Sequence, residues 1–358
     1  SPMTSLSFCS GRHRFHDQRL HRLAGETSPI SAWEEAFRTF GIDAPAQVQG
    51  DFAVALNAPG KRCFLAVDRF AVRTLCYRIV GDELRFAERA DDLAGPGADL
   101  DPQALYDYLY FHVIPAPRTI FKGVHRLPAG HYALFENGRL TVAPWWKPHF
   151  DETRRVPVAD LKAEFRQILR DSVADQLDGA TTGCFLSGGT DSSTVAGLLR
   201  ETTGRPAKAF SIGFEAAGYD EMEYARIAAR HFGAEHHEYY VTPADLVRSI
   251  PAVAASYDQP FGNSSVVPAY YCAQAARQAG VTRILAGDGG DELFGGNTRY
   301  AKQRVFGLYE NIPAGLRRHL LEPLLTGSEL PGKLPGIKKA VSYVEQARVP
   351  MPDRMQMY

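Results

Sequence analysis

The sequence predicts an α/β fold with a parallel sheet, and three observations support that prediction. Residues 184–186 (CFL) form an apolar, strand-like run that leads into the glycine turn 187–193 (SGGTDSS), after which residues 194–199 (TVAGLL) have a helical pattern. Residues 284–286 (ILA) repeat this arrangement ahead of a second glycine turn, 287–296 (GDGGDELFGG). With 358 residues and 45% hydrophobic content, the chain is long enough to bury two cores.

The other elements follow from periodicity and from turn-forming residues. Residues 105–110 predict a short aromatic-rich helix, 114–119 a proline-stiffened turn, and 127–130 (LPAG) a tight hairpin turn before the strand-like residues 132–135. Apolar positions at helical spacing predict a helix over 158–176. In the tail, prolines 331, 335, 350 and 352 are expected to interrupt any long helix.

The first glycine turn has the composition of an anion site. Its two glycines allow the main chain to approach a phosphate closely, and Ser187, Ser192 and Ser193 provide hydroxyl donors. Asp191 provides a carboxylate where a phosphate-bound Mg²⁺ would need one. The turn is not a Walker A loop, because no lysine follows the glycines. A glycine-serine turn that caps an ordinary helix is the alternative.

The second glycine turn is expected to lie beside the first. In a parallel sheet both turns emerge at the carboxyl edge, where ligands of open α/β sheets bind. Asp191 and Asp291 would then face each other across one metal ion.

The two turns together resemble the synthetase domain of the asparagine synthetase family, which includes β-lactam synthetases and lasso-peptide cyclases. Residues 209–214 (AFSIGF), 258–260 (DQP) and 264–268 (SSVVP) fit the same pattern, and the resemblance is nearly continuous from about Val156 to Arg304. It implies a parallel-sheet pyrophosphatase-loop domain of the adenine nucleotide alpha hydrolase type. Such a domain cleaves ATP between the α- and β-phosphates, transfers AMP to a substrate and releases pyrophosphate.

The resemblance also implies roles for individual residues. Contacts to ATP are implied for Leu186, Ser187, Gly188, Gly189, Asp191, Ser192, Ser193, Ile212 and Gly287, and Mg²⁺ ligands for Asp191 and Asp291. Adenine would lie against the strand that contains Ile212. Asp288 occupies the position that asparagine synthetases fill with glutamate, which implies a catalytic role in handling the nucleophile. A solvated turn aspartate is the alternative for Asp288.

The upstream residues resemble the amino-terminal glutaminase domain of this family, a β-sandwich of the N-terminal nucleophile type. Residues 50–56, 65–70 and 84–88 look like its paired strands, although the family usually has glycine where Ala71 stands. The arginine, asparagine-glycine-glutamate and aspartate motifs with which active members hold glutamine are missing. We therefore expect this part of the chain to be a degenerate glutaminase domain.

The catalytic cysteine of such a glutaminase is also missing. An active enzyme of this kind begins with a cysteine whose own α-amine is the base for its thiol. Here we expect Met3 to be the native start, and Cys9 to lie within a strand, where its nitrogen is part of a peptide bond. Thr4, exposed by removal of methionine, is the alternative nucleophile. No glutamine hydrolysis is expected.

These observations divide the chain into two predicted domains. Residues 1–150 are predicted to form the degenerate glutamine amidotransferase-like domain, and residues 151–358 the ATP-pyrophosphatase domain. The family's downstream lysine, which stabilises pyrophosphate and the adenylate, is not found in a matching context before Tyr358. We expect the native protein to continue further, with a truncated relative as the alternative.

The composition argues against two classes of binding partner, nucleic acids and membranes. A net charge of -1 without basic clusters argues against nucleic acid and against an anionic membrane surface. No apolar run approaches membrane-spanning length and no apolar signal core is present, so we expect a cytoplasmic protein. The five cysteines lack metal-ligand spacing and are expected to be reduced. A homodimer is left open.

The expected function is that of an AMP-forming ligase dependent on ATP and Mg²⁺. It would adenylate a small-molecule or peptide carboxylate, which an amine or ammonia then attacks. The identities of both substrates stay open. The alternatives are a nucleotide-binding scaffold without turnover and a cyclase of the macrolactam or β-lactam type.

Overall fold

The computed structural model describes residues 7–58, 62–151, 153–214, 221–323, 335–350 and 353–354. The predictions for Met3, Thr4, Pro331 and Pro352 concern positions outside these described residues. The chain divides into two compact units, the first made of Ser1–Glu164 with Val241–Tyr271 and the second of Phe165–Tyr240 with Cys272–Tyr358. The domain boundary near residue 150 stays a prediction.

Four sheets are found among the described residues. Their strands are β1 (Phe8–Gly11), β2 (Arg14–Phe15), β3 (Val48–Gln49), β4 (Phe52–Ala58), β5 (Arg62–Val67), β6 (Cys76–Val80), β7 (Glu83–Ala87), β8 (His125–Arg126), β9 (His131–Glu136), β10 (Arg139–Pro144), β11 (Thr182–Phe185), β12 (Lys208–Phe214), β13 (Glu235–Val241) and β14 (Arg283–Leu285). The strand orders are β1-β4-β5-β9-β10, β7-β6-β8, β2-β3 and β13-β12-β11-β14.

The helices of the described residues are α1 (Gln18–Glu26), α2 (Pro29–Phe40), α3 (Ala90–Ala94), α4 (Pro102–Phe111), α5 (Val158–Ala174), α6 (Thr190–Thr203), α7 (Met222–Phe232), α8 (Pro243–Ser256), α9 (Val266–Gln278), α10 (Gly290–Phe294), α11 (Thr298–Glu310), α12 (Ala314–Leu316) and α13 (Pro335–Ala347). A 3-10 helix spans Gly41–Gln47 and a π-helical turn spans Arg317–Leu321. The three helices predicted from the sequence, over 105–110, 158–176 and 194–199, correspond to α4, α5 and α6 in this full set of helices.

The side chains of β4 point alternately to the two faces of its sheet, and this shows how the first unit forms a sandwich. Phe52, Val54 and Leu56 face a core that they share with α1 and α2. Ala53 and Ala55, which point to the opposite face, belong to a second core shared with β6 and β7 of the three-stranded sheet. One sheet is therefore covered by helices on one face and by a second sheet on the other, which confirms a β-sandwich.

The turn at residues 127–130 differs from the prediction. β8 before the turn pairs with β6, whereas β9 after it pairs with β5 and β10. The turn therefore carries the chain from one sheet to another and closes no hairpin. Gly130 has a φ of +65°, and a Cβ added there would lie 2.9 Å from the Trp146 carbonyl oxygen. The glycine is required by a contact with a distant part of the chain, which local turn residues do not reveal.

The turn after β5 is organised around a buried carboxylate. Asp68 is 3% exposed and accepts hydrogen bonds from four backbone N–H groups, those of Phe52, Phe70, Val72 and Arg73. Within this turn Ala71 has a φ of +49°. This left-handed conformation favours glycine, which is the physical reason for the glycine that the family usually has there.

The sheet of the second unit confirms the parallel arrangement. β11 lies between β12 and β14 and is parallel to both. Val173 of α5, Ala196 and Leu199 of α6 and Ala225 of α7 pack in one core cluster. A second cluster joins Phe210 of β12 to α9. Because β11 and β14 run in the same direction, the glycine turns that follow them leave the same edge of the sheet.

Candidate functional site

The first glycine turn depends on a close approach between two segments of backbone. Gly188 has a φ of +84°, and a Cβ added there would lie 2.3 Å from the carbonyl carbon of Tyr224 and 2.5 Å from the backbone nitrogen of Ala225. Both atoms belong to the first turn of α7. Only glycine fits this position, on grounds of both conformation and space. The contact with α7 fixes the path of the turn before α6 begins.

Hydroxyl groups hold the turn in its shape. Ser187 Oγ lies 3.0 Å from Ser192 Oγ and accepts a hydrogen bond from the Gly189 N–H at 3.2 Å, while the Ser187 N–H donates to Ser192 Oγ at 3.2 Å. Ser193 Oγ is buried and has no hydrogen-bond partner among the described residues. Gly189 is the N-cap of α6, so the positive end of this helix points towards the turn.

The second glycine turn packs directly against Asp191. A Cβ added at Gly290 would lie 2.3 Å from Asp191 Oδ2, and one added at Gly287 would lie 2.7 Å from Asp191 Cβ. The two glycines therefore leave the space that the aspartate fills. Residues about a hundred positions apart are brought into contact, as the shared edge of the sheet predicts.

Asp291 and Asp288 have different positions within the second turn. A Cβ added at Gly296 would lie 2.2 Å from Asp291 Oδ1, so the Asp291 carboxylate lies against the end of its own turn. Asp288 lies with Asp191 at the wall of a cavity of about 580 Å³. The pairing of Asp191 and Asp291 across one metal stays a prediction, because each carboxylate contacts a different glycine.

The cavity lies between α5, α6, β14 and the second turn. Its apolar lining residues are Phe165, Leu169, Val173, Val195, Leu198, Ile284, Leu285, Ala286, Leu293 and Phe294. Thr190, Thr194 and the backbone of Gly287–Gly290 add polar groups next to the two aspartates. None of the described residues that line this cavity is basic.

A chain of hydrogen bonds through Ser211 and His236, called here the relay, holds the Leu186 backbone behind the first turn. The Leu186 N–H donates to the Phe210 carbonyl oxygen at 2.9 Å, and the Leu186 carbonyl oxygen accepts a hydrogen bond from Ser211 Oγ. Ser211 Oγ in turn lies 2.7 Å from His236 Nε2. Burial lowers the pKa of His236 below its ordinary value, more than the nearby Glu238 raises it. The relay fixes the backbone from which the glycine turn leaves.

Ile212 lies on β12, the strand against which the family resemblance predicts that adenine lies. Its side chain is partly buried against the cluster that contains Phe210, Cys272 and Ile284. Next to it, Gly213 faces Tyr240, whose ring would lie 2.5 Å from an added Cβ. The structure thus shows a packing role for Ile212, and adenine binding there stays a prediction.

The donor set around the first turn is suited to a hard divalent cation. Asp191 carries carboxylate oxygens, and Ser187 and Ser192 carry hydroxyls, which are ligand types that Mg²⁺ accepts. No ion pair to Asp191, Asp288 or Asp291 is found within the described part of the chain. No group of three or more His, Cys, Asp and Glu suited to a metal occurs among the described residues either.

The thiols of the first unit are not activated. Cys9 lies inside β1, which agrees with the strand position predicted for it, and burial raises the pKa of its thiol. Burial also raises the pKa of Cys63 to about 12 and that of Cys76 to about 11. A thiol in such surroundings is protonated at neutral pH and is a poor nucleophile.

The structure brings together most of the residues that the sequence singled out. Asp191, Gly287 and Asp288 line one cavity, and Ser187, Gly189 and Ser192 share hydrogen bonds. Sequence reasoning missed Gly290 as the contact of the Asp191 carboxylate. It also missed Phe165 and Phe294, whose rings meet edge to face at 5.0 Å beside the cavity. The glycine-rich composition of the second turn was the one available signal for Gly290.

Among the described residues, no helix combines the length and the apolarity that spanning a bilayer requires.

Comparison with known proteins gives matches over both parts of the chain. Residues 164–355 match the family model described as asparagine synthase, and residues 31–146 match the model of a glutamine amidotransferase domain. The chain is 28% identical to asparagine synthetase [glutamine-hydrolyzing] 1 of Bacillus subtilis over 89% of its own length and 50% of that protein. It is 30% identical to a putative asparagine synthetase [glutamine-hydrolyzing] 2 of Methanocaldococcus jannaschii over 83% of this chain and 58% of that protein.

A putative asparagine synthetase [glutamine-hydrolyzing] of Mycobacterium tuberculosis is 29% identical over 79% of this chain and 45% of that protein. The chain thus spans about half the length of the curated relatives that it matches.

Proposed function

The chain belongs to the asparagine synthase family, and from this premise we propose that it is an ATP-dependent ligase that activates a carboxylate as its adenylate and passes the acyl group to an amine or to ammonia. The packing of Gly287 and Gly290 onto Asp191 is the observation that supports this most directly. It joins the two glycine turns into one polar site at the carboxyl edge of a parallel sheet.

In the first proposed step a substrate carboxylate oxygen attacks the α-phosphorus of ATP, and the bond from that phosphorus to the bridging oxygen of pyrophosphate breaks. Backbone N–H groups of the turn at 187–193 and the positive end of α6 would hold the phosphates. Mg²⁺ would neutralise the negative charge that leaves with pyrophosphate, with Asp191 and Asp291 as the residues that hold it. The space that Gly290 leaves for the Asp191 carboxylate supports this assignment.

In the second proposed step the amine nitrogen attacks the acyl carbon, and AMP leaves with the electrons of the acyl–oxygen bond. The nitrogen must lose a proton as the amide forms. Asp288 lies at the cavity wall with Asp191, and it would accept that proton or orient the amine. Walls of mainly apolar side chains would exclude water, which otherwise hydrolyses the adenylate.

The cavity favours one class of carboxylate substrate. Aspartate carries two carboxylates, and binding both would call for cationic partners. Among the described residues that line the cavity none is basic, whereas ten are apolar or aromatic. We therefore favour an acid with an apolar body, such as a peptide or a modified amino acid, over aspartate.

We also propose that the chain does not hydrolyse glutamine. Cys9 has a peptide nitrogen and a buried thiol whose pKa is raised, so it lacks the free amine and the thiolate that this chemistry needs. Purified protein should release no glutamate from glutamine above background. Competition by glutamine against a cysteine-directed glutamine analogue that labels the protein would contradict the proposal.

Nucleotide binding is the first test. Mg²⁺ with ATP at a hundred times its Kd should stabilise the fold by about 2.7 kcal/mol, as linkage requires. Asp191→Asn and Asp291→Asn should each reduce this shift, and their combined effect should be less than the sum because both act on one ion. Asp171→Asn, at an exposed position on α5, is the matched control and should leave the shift intact. An undiminished shift in Asp191→Asn would refute the assignment.

Turnover is the second test. Pyrophosphate and AMP should appear in equal amounts when ATP, an amine and the correct acid are present, and Asp288→Asn should slow product formation while sparing ATP binding. Loss of ATP binding in Asp288→Asn would show that this aspartate belongs to the nucleotide. ATP binding without pyrophosphate release for any acid would favour the nucleotide-binding scaffold.

A further inference from the structure

Three polar side chains lie on one face of strand β13. His236, Glu238 and Tyr240 are spaced two residues apart, and alternate residues of a strand point to the same face of a sheet. None of the three belongs to the described residues that line the cavity. They connect β13 to the two segments that shape the first glycine turn, which are the strand end at Leu186 and the first turn of α7.

Glu238 binds α7 through a two-point contact with Arg226. Glu238 Oε1 accepts a hydrogen bond from Arg226 Nε at 2.8 Å, and Glu238 Oε2 accepts one from Arg226 Nη2 at 2.6 Å. This paired geometry fixes the plane of the guanidinium as well as its distance from the carboxylate. Arg226 Nη2 also donates to the Tyr240 hydroxyl at 3.3 Å. The guanidinium is thus held by two side chains of the same strand, and these contacts tie α7 to β13.

Arg226 directly follows the residues of α7 against which the first glycine turn packs. A Cβ added at Gly188 would overlap the backbone of Tyr224 and Ala225, so even a small shift of this part of α7 changes the space open to the turn. The helix buries one large apolar side chain and three methyl groups, at Met222, Ala225, Ala228 and Ala229. A methyl group makes few van der Waals contacts, so this packing fixes the rotation of α7 only weakly. The two-point contact with Glu238 adds the missing constraint.

The same carboxylate faces the relay behind the turn. Glu238 Oε1 lies 3.4 Å from His236 Nδ1, and the other ring nitrogen of His236 lies 2.7 Å from Ser211 Oγ. Ser211 in turn donates to the carbonyl oxygen of Leu186, the residue that immediately precedes the turn. Glu238 is therefore the point at which the contacts from both sides of the first glycine turn meet.

We propose that Glu238 is a positioning residue for the first glycine turn. It acts through Arg226 on the part of α7 that contacts Gly188, and through His236 on the relay. All of these residues lie in the second unit. With both contacts in place, the backbone N–H groups of the turn keep the directions in which they would hold phosphate. This consequence for ATP rests on the proposed function, whereas the effect on the shape of the turn does not.

Hydrogen exchange of the nucleotide-free protein tests the shape of the turn. Glu238→Gln keeps the length of the side chain but removes its charge and one acceptor, so the two-point contact is lost. The N–H groups of Leu186, Ser187 and Gly189, which are hydrogen-bonded in the wild type, should exchange roughly two- to fivefold faster. Arg226→Gln should accelerate the same amides. The double variant should exchange no faster than Glu238→Gln, because both changes break one contact.

Arg170→Gln is the matched control. Arg170 pairs with Glu201 between α5 and α6 of the same unit, and its side chain is 40% exposed, close to the 44% of Arg226. The two arginine variants should therefore lose similar small amounts of unfolding free energy, but only Arg226→Gln should accelerate exchange in the turn. Equal acceleration in both variants, or none in Glu238→Gln, would overturn the proposal.

Titration of the His236 imidazole by NMR separates a direct contact from a general loss of stability. Burial is the largest influence on the pKa of His236 and lowers it, while Glu238 raises this pKa and both Arg226 and His237 lower it. Glu238→Gln should therefore lower the pKa of His236 further, whereas Arg226→Gln should raise it. Shifts in the same direction in the two variants would overturn the role assigned to Glu238 in the relay.

Nucleotide affinity tests the consequence for phosphate. In calorimetric titration the Kd for ATP with Mg²⁺ should rise about three- to tenfold in Glu238→Gln and stay unchanged in Arg170→Gln. Asp291→Asn, which acts on the proposed Mg²⁺ ion, should also weaken binding, but it should leave exchange at residues 186–189 as in the wild type. Faster exchange without weaker ATP binding in Glu238→Gln would refute the positioning role for nucleotide. Failure of the wild type to bind ATP would refute the proposed function, and the exchange experiment would still decide on Glu238.

Discussion

In the sandwich of the first unit, Asp51 accepts hydrogen bonds from Arg12 and Arg73 at 2.9 Å each, whereas no ion pair to Asp191 is found in the described part of the second unit. Burial alone would raise the pKa of Asp51, but the two guanidinium groups hold it below its ordinary value. Asp191 lies instead against Gly287 and Gly290 of the second glycine turn.

The difference between these two carboxylates reflects what each region does. A carboxylate between two arginines is satisfied by the protein and stabilises the fold in which it lies. A carboxylate that has no ion-pair partner among the described residues and lies near the N-terminal end of a helix keeps its oxygens available for a ligand. We infer that the sandwich is a support and that the glycine turns carry the chemistry, and the following predictions test this division.

The largest expected effect tests whether the sandwich is only a support. Trp33 is fully buried and contacts the rings of Phe15 and Phe52, so Trp33→Ala should lower the free energy of unfolding by about 3–5 kcal/mol. At temperatures where the variant is folded, its affinity for Mg²⁺ with ATP should equal that of the wild type. Urea unfolding and calorimetric titration measure the two quantities.

Phe70→Ala is the control for this variant, because Phe70 is 69% exposed and its loss should cost about 0.5 kcal/mol or less. Weaker nucleotide binding by the folded Trp33→Ala variant would show that the sandwich also contributes to nucleotide binding.

The next largest effect concerns the first glycine turn. Gly188→Ala should cost about 2–4 kcal/mol, because it adds left-handed strain to an overlap with the backbone of Tyr224. Gly189→Ala is a matched control, since Gly189 has a φ of -67° and its nearest contact to an added Cβ is Ser187 Oγ at 3.3 Å. It should cost less than about 1 kcal/mol. Urea unfolding midpoints of the two variants measure this difference. Equal losses of unfolding free energy in Gly188→Ala and Gly189→Ala would contradict the close approach of Gly188 to α7.

A smaller effect is expected from pH. The pKa of His236 is lower in the folded protein than in the unfolded chain because the imidazole is buried. Above a pH of about 6.5, the ordinary pKa of histidine in an unfolded chain, the His236 imidazole is neutral in both the folded and the unfolded protein. As the pH falls below that value, the unfolded chain takes up the proton first. The free energy of unfolding should therefore decrease on acidification from pH 7.5 to 5.5, and His236→Gln should weaken this dependence.

Glutamine can keep a hydrogen bond to Ser211, so the Leu186 backbone should stay in place in that variant. His231→Gln, at an exposed position on α7, is the control and should retain the pH dependence of the wild type. Identical pH profiles for His236→Gln and the wild type would show that the relay behind the first turn does not titrate.

The smallest expected effect lies in the sandwich. Ala71→Gly should raise the free energy of unfolding by about 0.5–1 kcal/mol, because relief of left-handed strain exceeds the entropy cost of glycine only slightly. Ala90→Gly, inside α3, has no such strain to relieve and should destabilise by a similar amount. Destabilisation by Ala71→Gly would indicate that Asp68 holds its turn by contacts that need the methyl group.

The sequence determined the elements that depend on neighbouring residues. A strand, a glycine turn and a helix follow one another within about fifteen residues at 184–199, so apolar pattern and turn composition predict them, and the same holds for α5 and α4. The parallel sheet followed too, because two such units in one chain place their turns at one edge. Ser187, Ser192 and Asp191 were found in this way.

Tertiary structure alone decided the contacts between distant segments. Gly188 lies against Tyr224, Gly290 against Asp191, and Asp258 pairs with Arg126, about a hundred positions away or more in each of the last two cases. The path of residues 127–130 from one sheet to another also depends on the packing of distant segments. A local pattern indicates which residues suit a strand, a turn or a helix, and many residue types at each position are compatible with the same pattern. The contacts between distant segments form only when several elements pack together, so a local pattern does not reveal them.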